Sequence, residues 1–512
     1  MLIKISSIAN IGLETVPVDV EVDVASVGFP GFTIVGLASK AVEEARERVK
    51  TAIINSGFDF PPKKITVNLA PADLPKDGAA YDLPIAIGVL LASGQLSAPP
   101  ELEKGHMFFY GELSLDGSLR PTRGILLLAL FAAKKRESTI FVPAVSATEA
   151  SVVTGVKVIP IPSLTALVEH LCGSAPIHPL EHLTYDESSD DELIDTDIKD
   201  IAGQELAKRA LIIAAAGGHN VLMWGPPGTG KTMLARALPG ILPPLTSAEA
   251  LEVTRIFSIS GLLPQGVSLM RRRSFRAPHH GVSSAGLIGG GTNPQPGEVS
   301  LAHLGVLFLD EMPEFPRSVI EALRQPMEDG VVEIVRVSGH VRYPASFTLI
   351  AAINPCPCGY LGHPRRPCTC TQKQIAKYRH RISGPILDRI DLTVMVAPVE
   401  VEKLSIHATP EGNMSSAQAK KMVIRVRRIQ EKRFEGSGLY TNSQMKNKDI
   451  KLYCHLTKEA ENFLKLAAEK YDFSARSYMR LIKVARTIAD LANEEHILPV
   501  HMAEALQYKQ LS

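Results

Sequence analysis

The sequence predicts a mixed α/β protein in which two α/β domains are followed by a helical lid. Apolar strands alternate with helical segments over about the first 175 residues, and the same alternation returns after residue 200 around a glycine-rich loop. From about residue 396 onward the pattern is almost entirely helical. A chain of 512 residues has room for about three domains. We therefore expect domains at residues 1–178, 199–395 and 396–512.

The N-terminal domain is predicted from its strand and helix patterns. Residues 64–71, 107–114 and 139–144 have the apolar content of strands, and residues 38–57 have the spacing of a helix. The first residues lack the apolar core and the cleavage site of an export signal. No apolar run reaches the roughly 18 to 20 residues that span a bilayer. We expect a cytoplasmic protein with no membrane partner.

An acidic segment separates the two α/β domains. Between Glu181 and Asp200 nine acidic residues stand against one lysine, which predicts a solvated linker at residues 179–198. Over the whole chain, 55 Lys and Arg residues nearly balance 54 Asp and Glu residues. Any contact with nucleic acid therefore has to come from a local basic patch, because the net charge does not favour one.

The glycine-rich loop follows an apolar strand at 221–224 and has the form of a phosphate-binding loop. Its glycines leave backbone N–H groups free to surround phosphates, Lys231 can reach the β- and γ-phosphates of ATP, and Thr232 can bind Mg²⁺. A strand before the loop and a helix after it are the context that this motif requires. The predicted nucleotide-binding residues are Gly225, Pro226, Pro227, Gly228, Thr229, Gly230, Lys231 and Thr232.

Two further strand ends carry polar residues that suit ATP hydrolysis. One apolar strand ends in Asp310 and Glu311, which predicts a Mg²⁺-binding carboxylate beside a carboxylate that polarises the attacking water. The next apolar strand ends in Asn354, whose amide can hydrogen bond to the γ-phosphate or to that water. Each motif alone also fits an ordinary strand end, but the number of residues between it and the phosphate-binding loop favours the catalytic interpretation.

Four cysteines and a histidine lie in the fifteen residues 356–370, shortly after Asn354. In a reducing compartment, clustered thiols indicate a metal site more than disulfides, and Zn²⁺ is the ion that such a set favours. The C-x-C spacing is tighter than usual, so three cysteines with His363, or a loop without metal, remain open alternatives. The candidate ligands are Cys356, Cys358, Cys368, Cys370 and, as the alternative, His363.

A predicted β-hairpin just before the strand of Asn354 is basic. Arg336, His340 and Arg342 surround its turn at 338–339, and cations at a hairpin tip suit a phosphate backbone. A second basic cluster, at 271–280, contains Arg276 and one aromatic residue. A solvated basic surface is an equally good interpretation of either patch taken alone.

Taken in order, these motifs and the helical lid resemble those of AAA+ ATPases. The resemblance implies two further roles. Arg389, in the segment 382–392, resembles the arginine finger that such proteins insert into the neighbouring subunit's site, and Arg476 resembles the lid arginine called sensor 2. A guanidinium group in either place would stabilise the charge on a transferring phosphoryl group. A surface or ion-paired arginine is the alternative for both.

Two insertions narrow the resemblance. Segments 275–315 and 331–347 look like the helix-2 insert and the pre-sensor-1 hairpin of the clade of magnesium-chelatase ATPase subunits and MCM helicases. The first 175 residues resemble the Lon-protease-like domain, of ribosomal S5 type, that precedes the ATPase in ComM/YifB magnesium-chelatase-like bacterial proteins. The resemblance to this family implies a hexameric DNA motor that drives branch migration, since ComM members are linked to natural transformation.

The N-terminal domain departs from a Lon peptidase where the catalytic pair would stand. Ala80 occupies the position of the nucleophilic serine, and Leu126 lies near the position of the lysine. Without a hydroxyl nucleophile and its base there is no acyl chemistry. We expect a module for ring assembly or for binding a protein partner.

These observations leave two hypotheses of different classes. The first is an ATP-hydrolysing, ring-forming helicase, a hexamer, that acts on single-stranded or branched DNA in natural transformation or recombination. The second is a chelatase-like ATPase that remodels a protein partner. The basic hairpin and the N-terminal domain favour the first hypothesis. Ala80 and Leu126 disfavour a third hypothesis, that the protein is an ATP-dependent protease.

Overall fold

The fold is known from a computed structural model of the full chain. More than half of the predicted acidic linker, 179–198, lies outside the described residues, as do the side chains of residues 40, 41, 103 and 336. The predicted domain boundaries stay predictions. The described residues are 2–37, 39–74, 76, 78–103, 105–184, 196–291, 294–336, 339–363, 366–398 and 414–509.

A seven-stranded mixed sheet organises the first part of the chain. Its strands are β1 (Leu2–Ile11), β2 (Glu14–Val24), β3 (Gly31–Val35), β4 (Lys64–Ala70), β5 (Met107–Phe109), β8 (Ser138–Pro143) and β9 (Val156–Ile161), with β6 (Glu112–Leu113) and β7 (Leu119–Arg120) pairing separately. The strand order is β3-β4-β2-β1-β5-β8-β9. Along β2, Val18, Val20 and Val22 are fully buried because alternate side chains face the core.

Helices cover this sheet and fill its core. The helices are α1 (Lys40–Glu43), α2 (Ala45–Asn55), α3 (Asp82–Ala92), α4 (Pro100–Glu103), α5 (Ile125–Ala132) and α6 (Leu164–Leu171). Every residue of α3 is buried. Ala80 and Leu126 lie in one apolar cluster with Ile8 and Phe108, so apolar side chains fill the place where a peptidase nucleophile would stand.

A five-stranded parallel sheet forms the second unit, in the order β11-β14-β17-β10-β18. Its strands are β10 (Val221–Trp224), β11 (Phe275–Arg276), β14 (Val306–Leu309), β17 (Thr348–Ile353) and β18 (Leu392–Met395). Two hairpins lie outside it: β12 (Gly289–Gly290) with β13 (Gln295–Pro296), and β15 (Val331–Arg336) with β16 (Gly339–Pro344). The phosphate-binding loop, Asp310 and Asn354 follow β10, β14 and β17, so they meet at the carboxyl edge of three adjacent strands.

Helix α9 (Ser247–Ser260) joins this unit to the N-terminal one. The Ser258 hydroxyl donates a hydrogen bond to Glu149 at 2.6 Å, and Arg255 donates to the carbonyl of Leu13 at 2.9 Å. Burial raises the pKa of Glu149 to about 7.

The helices of the second unit are α7 (Glu205–Gly217), α8 (Lys231–Ile241), α9 (Ser247–Ser260), α10 (Ser284–Ile288), α11 (Glu298–Leu301), α12 (Arg317–Glu321), α13 (Arg324–Asp329), α14 (Gln372–Arg379) and α15 (Gly384–Leu387).

The C-terminal region is helical, as predicted. Its helices are α16 (Ser416–Arg433), α17 (Asn447–Tyr453), α18 (Lys458–Lys470), α19 (Ala475–Ala492) and α20 (Pro499–Gln507). Helix α16 docks on the end of α7, where Arg427 and Gln430 donate hydrogen bonds to the carbonyls of Ala215 and Ala216. These carbonyls have no partner within their own helix, so the contact satisfies them. None of the helices in the described residues has the length and apolar character of a transmembrane span.

Candidate nucleotide site and its surroundings

Lys231 begins α8, and its ammonium group lies inside the phosphate-binding loop. Its Nζ donates hydrogen bonds to the carbonyls of Gly225 (2.7 Å) and Pro226 (2.9 Å) and to Oδ1 of Asn354 (3.2 Å). Lys231 is 8% exposed, and burial lowers its pKa although the two carboxylates after β14 act in the opposite direction. A buried cation at the N-terminus of a helix is an arrangement that binds anions.

Glycine is required at several loop positions. Gly228 and Gly230 have φ angles of +76° and +89°, a region that side chains with a Cβ rarely adopt. A Cβ on Gly225 would lie 2.1 Å from the carbonyl oxygen of Val396, just after β18. The loop can therefore run close to the neighbouring backbone and keep its N–H groups turned toward a phosphate.

The predicted metal-binding pair is brought together. The Thr232 hydroxyl donates a hydrogen bond to Oδ2 of Asp310 at 3.0 Å, which places two oxygen ligands of the kind that Mg²⁺ prefers side by side. Glu311, the next residue, has a φ of +48° and donates its N–H to Oδ1 of Asp310 at 2.9 Å. Strained backbone of this kind clusters at functional sites.

Two residues near the loop were missed by sequence reasoning. Gln204 has a φ of +59°, and its Nε2 donates to the carbonyl of Ala397 at 2.6 Å and lies 3.5 Å from the carbonyl of Thr229. Tyr378 of α14 contacts the backbone of Asn354, and burial raises its pKa to about 12. Both are separated from the loop by long stretches of sequence, and no local pattern connects them to it.

The two arginines predicted from the family resemblance lie close together, and Arg389 stands just before β18, at the sheet edge opposite the loop. The side chain of Arg389 is 9% exposed, donates a hydrogen bond to the carbonyl of Pro385 at 2.6 Å and pairs with Glu328. Arg476 lies 3.9 Å from Asp388, the residue before Arg389. Within the described residues, neither arginine forms a hydrogen bond or ion pair with the phosphate-binding loop.

Two side chains hold the turn of Arg389 in place. Arg480 of α19 donates hydrogen bonds to the carbonyls of Leu387 (3.1 Å) and Ile390. Asn220, just before β10, donates to the carbonyl of Arg389 at 3.0 Å and accepts from the N–H of Leu349 at 2.8 Å. The turn is thus tied both to the lid and to the sheet that carries the nucleotide loop.

The four cysteines form one cluster, as their spacing predicts. The Sγ atoms of Cys356, Cys358, Cys368 and Cys370 all lie within 4.8 Å of one another. Three of these pairs are 3.3 to 3.6 Å apart. Tetrahedral zinc with Zn–S bonds of about 2.3 Å would place its sulfurs about 3.8 Å apart, so the set fits that ion.

The surroundings of the cluster favour the set of four thiols. Backbone N–H groups of Tyr360 and Thr369 lower the pKa of Cys358 to about 6, which favours the thiolate that binds a metal. Desolvation and the neighbouring thiols raise the pKa of Cys368 and of Cys370. Nδ1 of His363 instead accepts a hydrogen bond from the N–H of Arg366 at 3.1 Å. A Cβ on Gly359 would lie 2.8 Å from Cδ of Pro227, so this loop packs directly on the phosphate-binding loop.

The predicted basic hairpin is β15–β16, and it has one buried and one solvent face. Glu333 faces Arg342 across the strands, and Val335 faces His340. The side chains of Arg342 and His340 are 64% and 57% exposed, each 3.9 Å from Glu333. The side chain of Arg336 lies outside the described part of the structure.

The second basic cluster is largely engaged within the chain. Arg276 forms two hydrogen bonds with Glu298, at 2.6 and 2.7 Å, and Arg273 pairs with Glu249 and donates to the carbonyl of Leu304. Sequence spacing could not show these pairings. Arg276 remains a predicted DNA contact, but here its guanidinium group is held by a carboxylate.

Comparison with known proteins agrees with the fold. Family models described as "Magnesium chelatase, subunit ChlI", "Subunit ChlI of Mg-chelatase" and "Magnesium chelatase, subunit ChlI C-terminal" match residues 197–404, 20–146 and 413–509. Competence protein ComM of Haemophilus influenzae is 44% identical over 98% of this chain and 96% of its own length. The chain belongs to the ComM/YifB family. Its similarity to the Escherichia coli protein YifB is 43% identity over the same shares of both chains.

A more distant relative matches about a third of the chain. The magnesium-chelatase 67 kDa subunit of Heliobacterium mobile is 31% identical over 191 residues, which is 32% of this chain and 28% of that protein. Membership of the ComM/YifB family, with its magnesium-chelatase-like AAA+ domain, supports an ATPase that uses ATP and Mg²⁺. The predicted fold class is confirmed by the parallel sheet, the helical C-terminal region and the family matches.

Proposed function

We propose that this ComM/YifB protein is a hexameric, ATP-driven helicase that moves branched or single-stranded DNA in the cytoplasm during natural transformation or recombination. The observation that carries the proposal is the similarity to Competence protein ComM along nearly the whole chain. The nucleotide site supplies the energy source, and the exposed hairpin β15–β16 supplies a surface for phosphates.

Each residue of the nucleotide site takes a role that its position supports. Lys231 holds the β- and γ-phosphates from inside the loop, and Thr232 and Asp310 would hold Mg²⁺, which neutralises phosphate charge when bound. Glu311 orients the attacking water and accepts its proton. Asn354 accepts a hydrogen bond from Lys231 and would hydrogen bond to the γ-phosphate or to the attacking water.

A ring is proposed because the site is incomplete within one chain. Arg389 lies just before β18, at the sheet edge opposite the loop, and Arg476 lies beside it, so Arg389 would act in the site of a neighbouring subunit. AAA+ proteins are commonly oligomeric. In the ring, Arg389 would exchange Glu328 for the phosphates of the next subunit.

The DNA contact is tested at the hairpin. Replacing Arg336 and Arg342 with alanine should weaken binding to single-stranded and branched DNA, lower the salt dependence of binding, and slow strand movement, because the hairpin loses two cations. Basal ATPase activity without DNA should persist. Binding is measured by fluorescence anisotropy against salt, and branch migration on a synthetic four-way junction.

The matched control removes two exposed cations elsewhere, with Lys134→Ala and Arg136→Ala in the N-terminal unit. The control should bind and move DNA like the wild type. A hairpin variant that migrates junctions at the wild-type rate would remove the hairpin from the mechanism.

The alternative function is remodelling of a protein partner, supported by the similarity to magnesium-chelatase subunits. The N-terminal unit, which lacks a peptidase nucleophile at Ala80, would then recruit the partner. ATPase activity that is indifferent to any DNA at low salt, with no DNA binding by the wild type, would favour this alternative over the DNA motor.

We also propose that the cysteine cluster binds structural zinc. Purified protein should contain about one zinc per chain, and replacing Cys356 and Cys358 with serine should remove it, because thiolates provide most of the binding energy. Elemental analysis measures the content. The exposed Cys172, replaced with serine, is the control and should keep the metal.

Loss of zinc should also lower ATPase activity, since Gly359 of this loop packs on Pro227 of the nucleotide loop. A stable and fully active protein without metal would leave the cysteines as ordinary loop residues.

A further inference from the structure

Helix α16 of the lid carries an unusual charge for this chain. It contains seven basic residues and one acidic residue, whereas the chain as a whole is close to neutral. Arg427 and Arg433 are used internally, by the carbonyl of Ala215 and by Asp490. The side chains of Lys421, Arg425, Arg428 and Lys432 are exposed, so docking of the helix on the ATPase unit does not account for them.

The outward cations line an open groove between α16 and the end of α19, with a volume of about 470 Å³. Lys421, Arg425, Arg428 and Lys432 are spaced at four, three and four residues, which puts them on one face of the helix. Arg425 also donates a hydrogen bond to the carbonyl of Leu491 at 2.9 Å.

Within the described residues, no carboxylate forms an ion pair with these four side chains. Glu431, in the same helix, does not pair with them either. Four cations that face solvent side by side repel one another, and an anion placed in the groove relieves that repulsion. Along the helix axis they extend over about 16 Å at 1.5 Å per residue. A single small anion would engage only part of such a row, whereas a strand with a phosphate about every 3.4 Å matches its length.

We infer that this groove binds the phosphate backbone of DNA as a second contact, separate from the hairpin β15–β16. The inference rests on the proposed function and adds a site on the lid. A membrane surface fits less well, because an interfacial helix needs an exposed apolar face, and here Ile424 and Ile429 are half-buried in the groove. The lining also has no aromatic residue of the kind that anchors a protein partner.

The lid contact gives the motor a means of coupling. Helix α16 is bonded to the end of α7, and α7 packs against α8, which begins with Lys231. A strand held in the groove would therefore move with the lid as the nucleotide site changes state. The hairpin and the groove would hold DNA at two places on one subunit.

The test uses the full chain with Lys421, Arg428 and Lys432 changed together to glutamine. Arg425 is left in place because of its bond to Leu491. The control changes three exposed lysines of helix α18, also in the C-terminal helical region, Lys458, Lys465 and Lys470, to glutamine. Both variants lose the same charge in the same region, and their thermal unfolding midpoints show that both are folded.

Binding to a fluorescent duplex and to a single strand is measured over a salt series. The slope of log affinity against log salt should fall by about 2 for the single strand and nearly 3 for the duplex in the groove variant, and stay at the wild-type value in the control. If the wild type binds DNA and the groove variant has an unchanged slope, the inference about the groove is overturned and the proposed function is not.

The other outcomes are also decisive. A wild type that binds neither oligonucleotide overturns the proposed function and the groove together. Loss of binding to vesicles containing phosphatidylserine, with DNA binding unchanged, overturns the groove as a DNA site in favour of a membrane surface. An equal loss of slope in the α18 control would show a general charge effect and would also overturn it.

Discussion

Glu311→Gln is expected to lower kcat for ATP hydrolysis by about 10²- to 10⁴-fold while ATP affinity stays close to that of the wild type. Glutamine keeps the size of the side chain but cannot accept a proton from the attacking water. Steady-state phosphate release gives the rate, and equilibrium binding of a fluorescent ATP analogue gives the affinity. The strained φ of +48° at Glu311 indicates that the orientation of this residue matters for its function. A conservative substitution is therefore used, so that the backbone is left unchanged.

Lys231→Ala separates binding from chemistry in the same site. Loss of the charge-assisted bonds from its ammonium group should raise the Kd for ATP by about 100-fold.

Glu314→Gln is the matched control for Glu311→Gln, because Glu314 lies three residues further on and pairs with Arg381 at the surface. Wild-type turnover by Glu311→Gln, or an equal loss in Glu314→Gln, would show that the water-activating residue has been misassigned.

Sequence reasoning succeeded where the information is local. The strand at 221–224 is β10 residue for residue, and the strands that end before Asp310 and Asn354 are β14 and β17. Buried strands of a parallel sheet are continuous apolar runs bounded by loops, so their ends can be read from composition. The three site segments meet because parallel strands share one carboxyl edge, which is also why Lys231 and Asn354 could be expected to be close.

The sequence could not show contacts between distant segments. Arg276 pairs with Glu298 and Arg389 with Glu328, across 22 and 61 residues, and nothing in the local pattern indicates either carboxylate. The short edge strand β11 has two residues and no detectable periodicity. Among the cysteine ligands, spacing left His363 open, and only the folded loop shows the four thiols together.

Arg389→Ala is expected to bind ATP almost normally and to hydrolyse it far more slowly, because a finger acts on the neighbour's phosphates and contributes about 10³ to 10⁵ in rate in the best-studied cases. The contact with Glu328 offers a second test. If Arg389 is only a structural ion-pair residue, Glu328→Gln and Arg389→Ala should lower the thermal unfolding midpoint alike and leave turnover similar. A finger predicts instead that Glu328→Gln retains turnover while Arg389→Ala loses it.

Mixing subunits decides whether Arg389 acts across the interface. In an equal mixture of Arg389→Ala and Lys231→Ala, about a quarter of ring interfaces join an intact loop to an intact Arg389, so part of the activity should return. A mixture of Lys231→Ala and Glu311→Gln should stay inactive, since both lesions fall in the same half of the site and no interface is complete. Recovery in neither mixture, with rings confirmed by light scattering, would remove the finger role from Arg389 and leave its pairing with Glu328 as the residue's function.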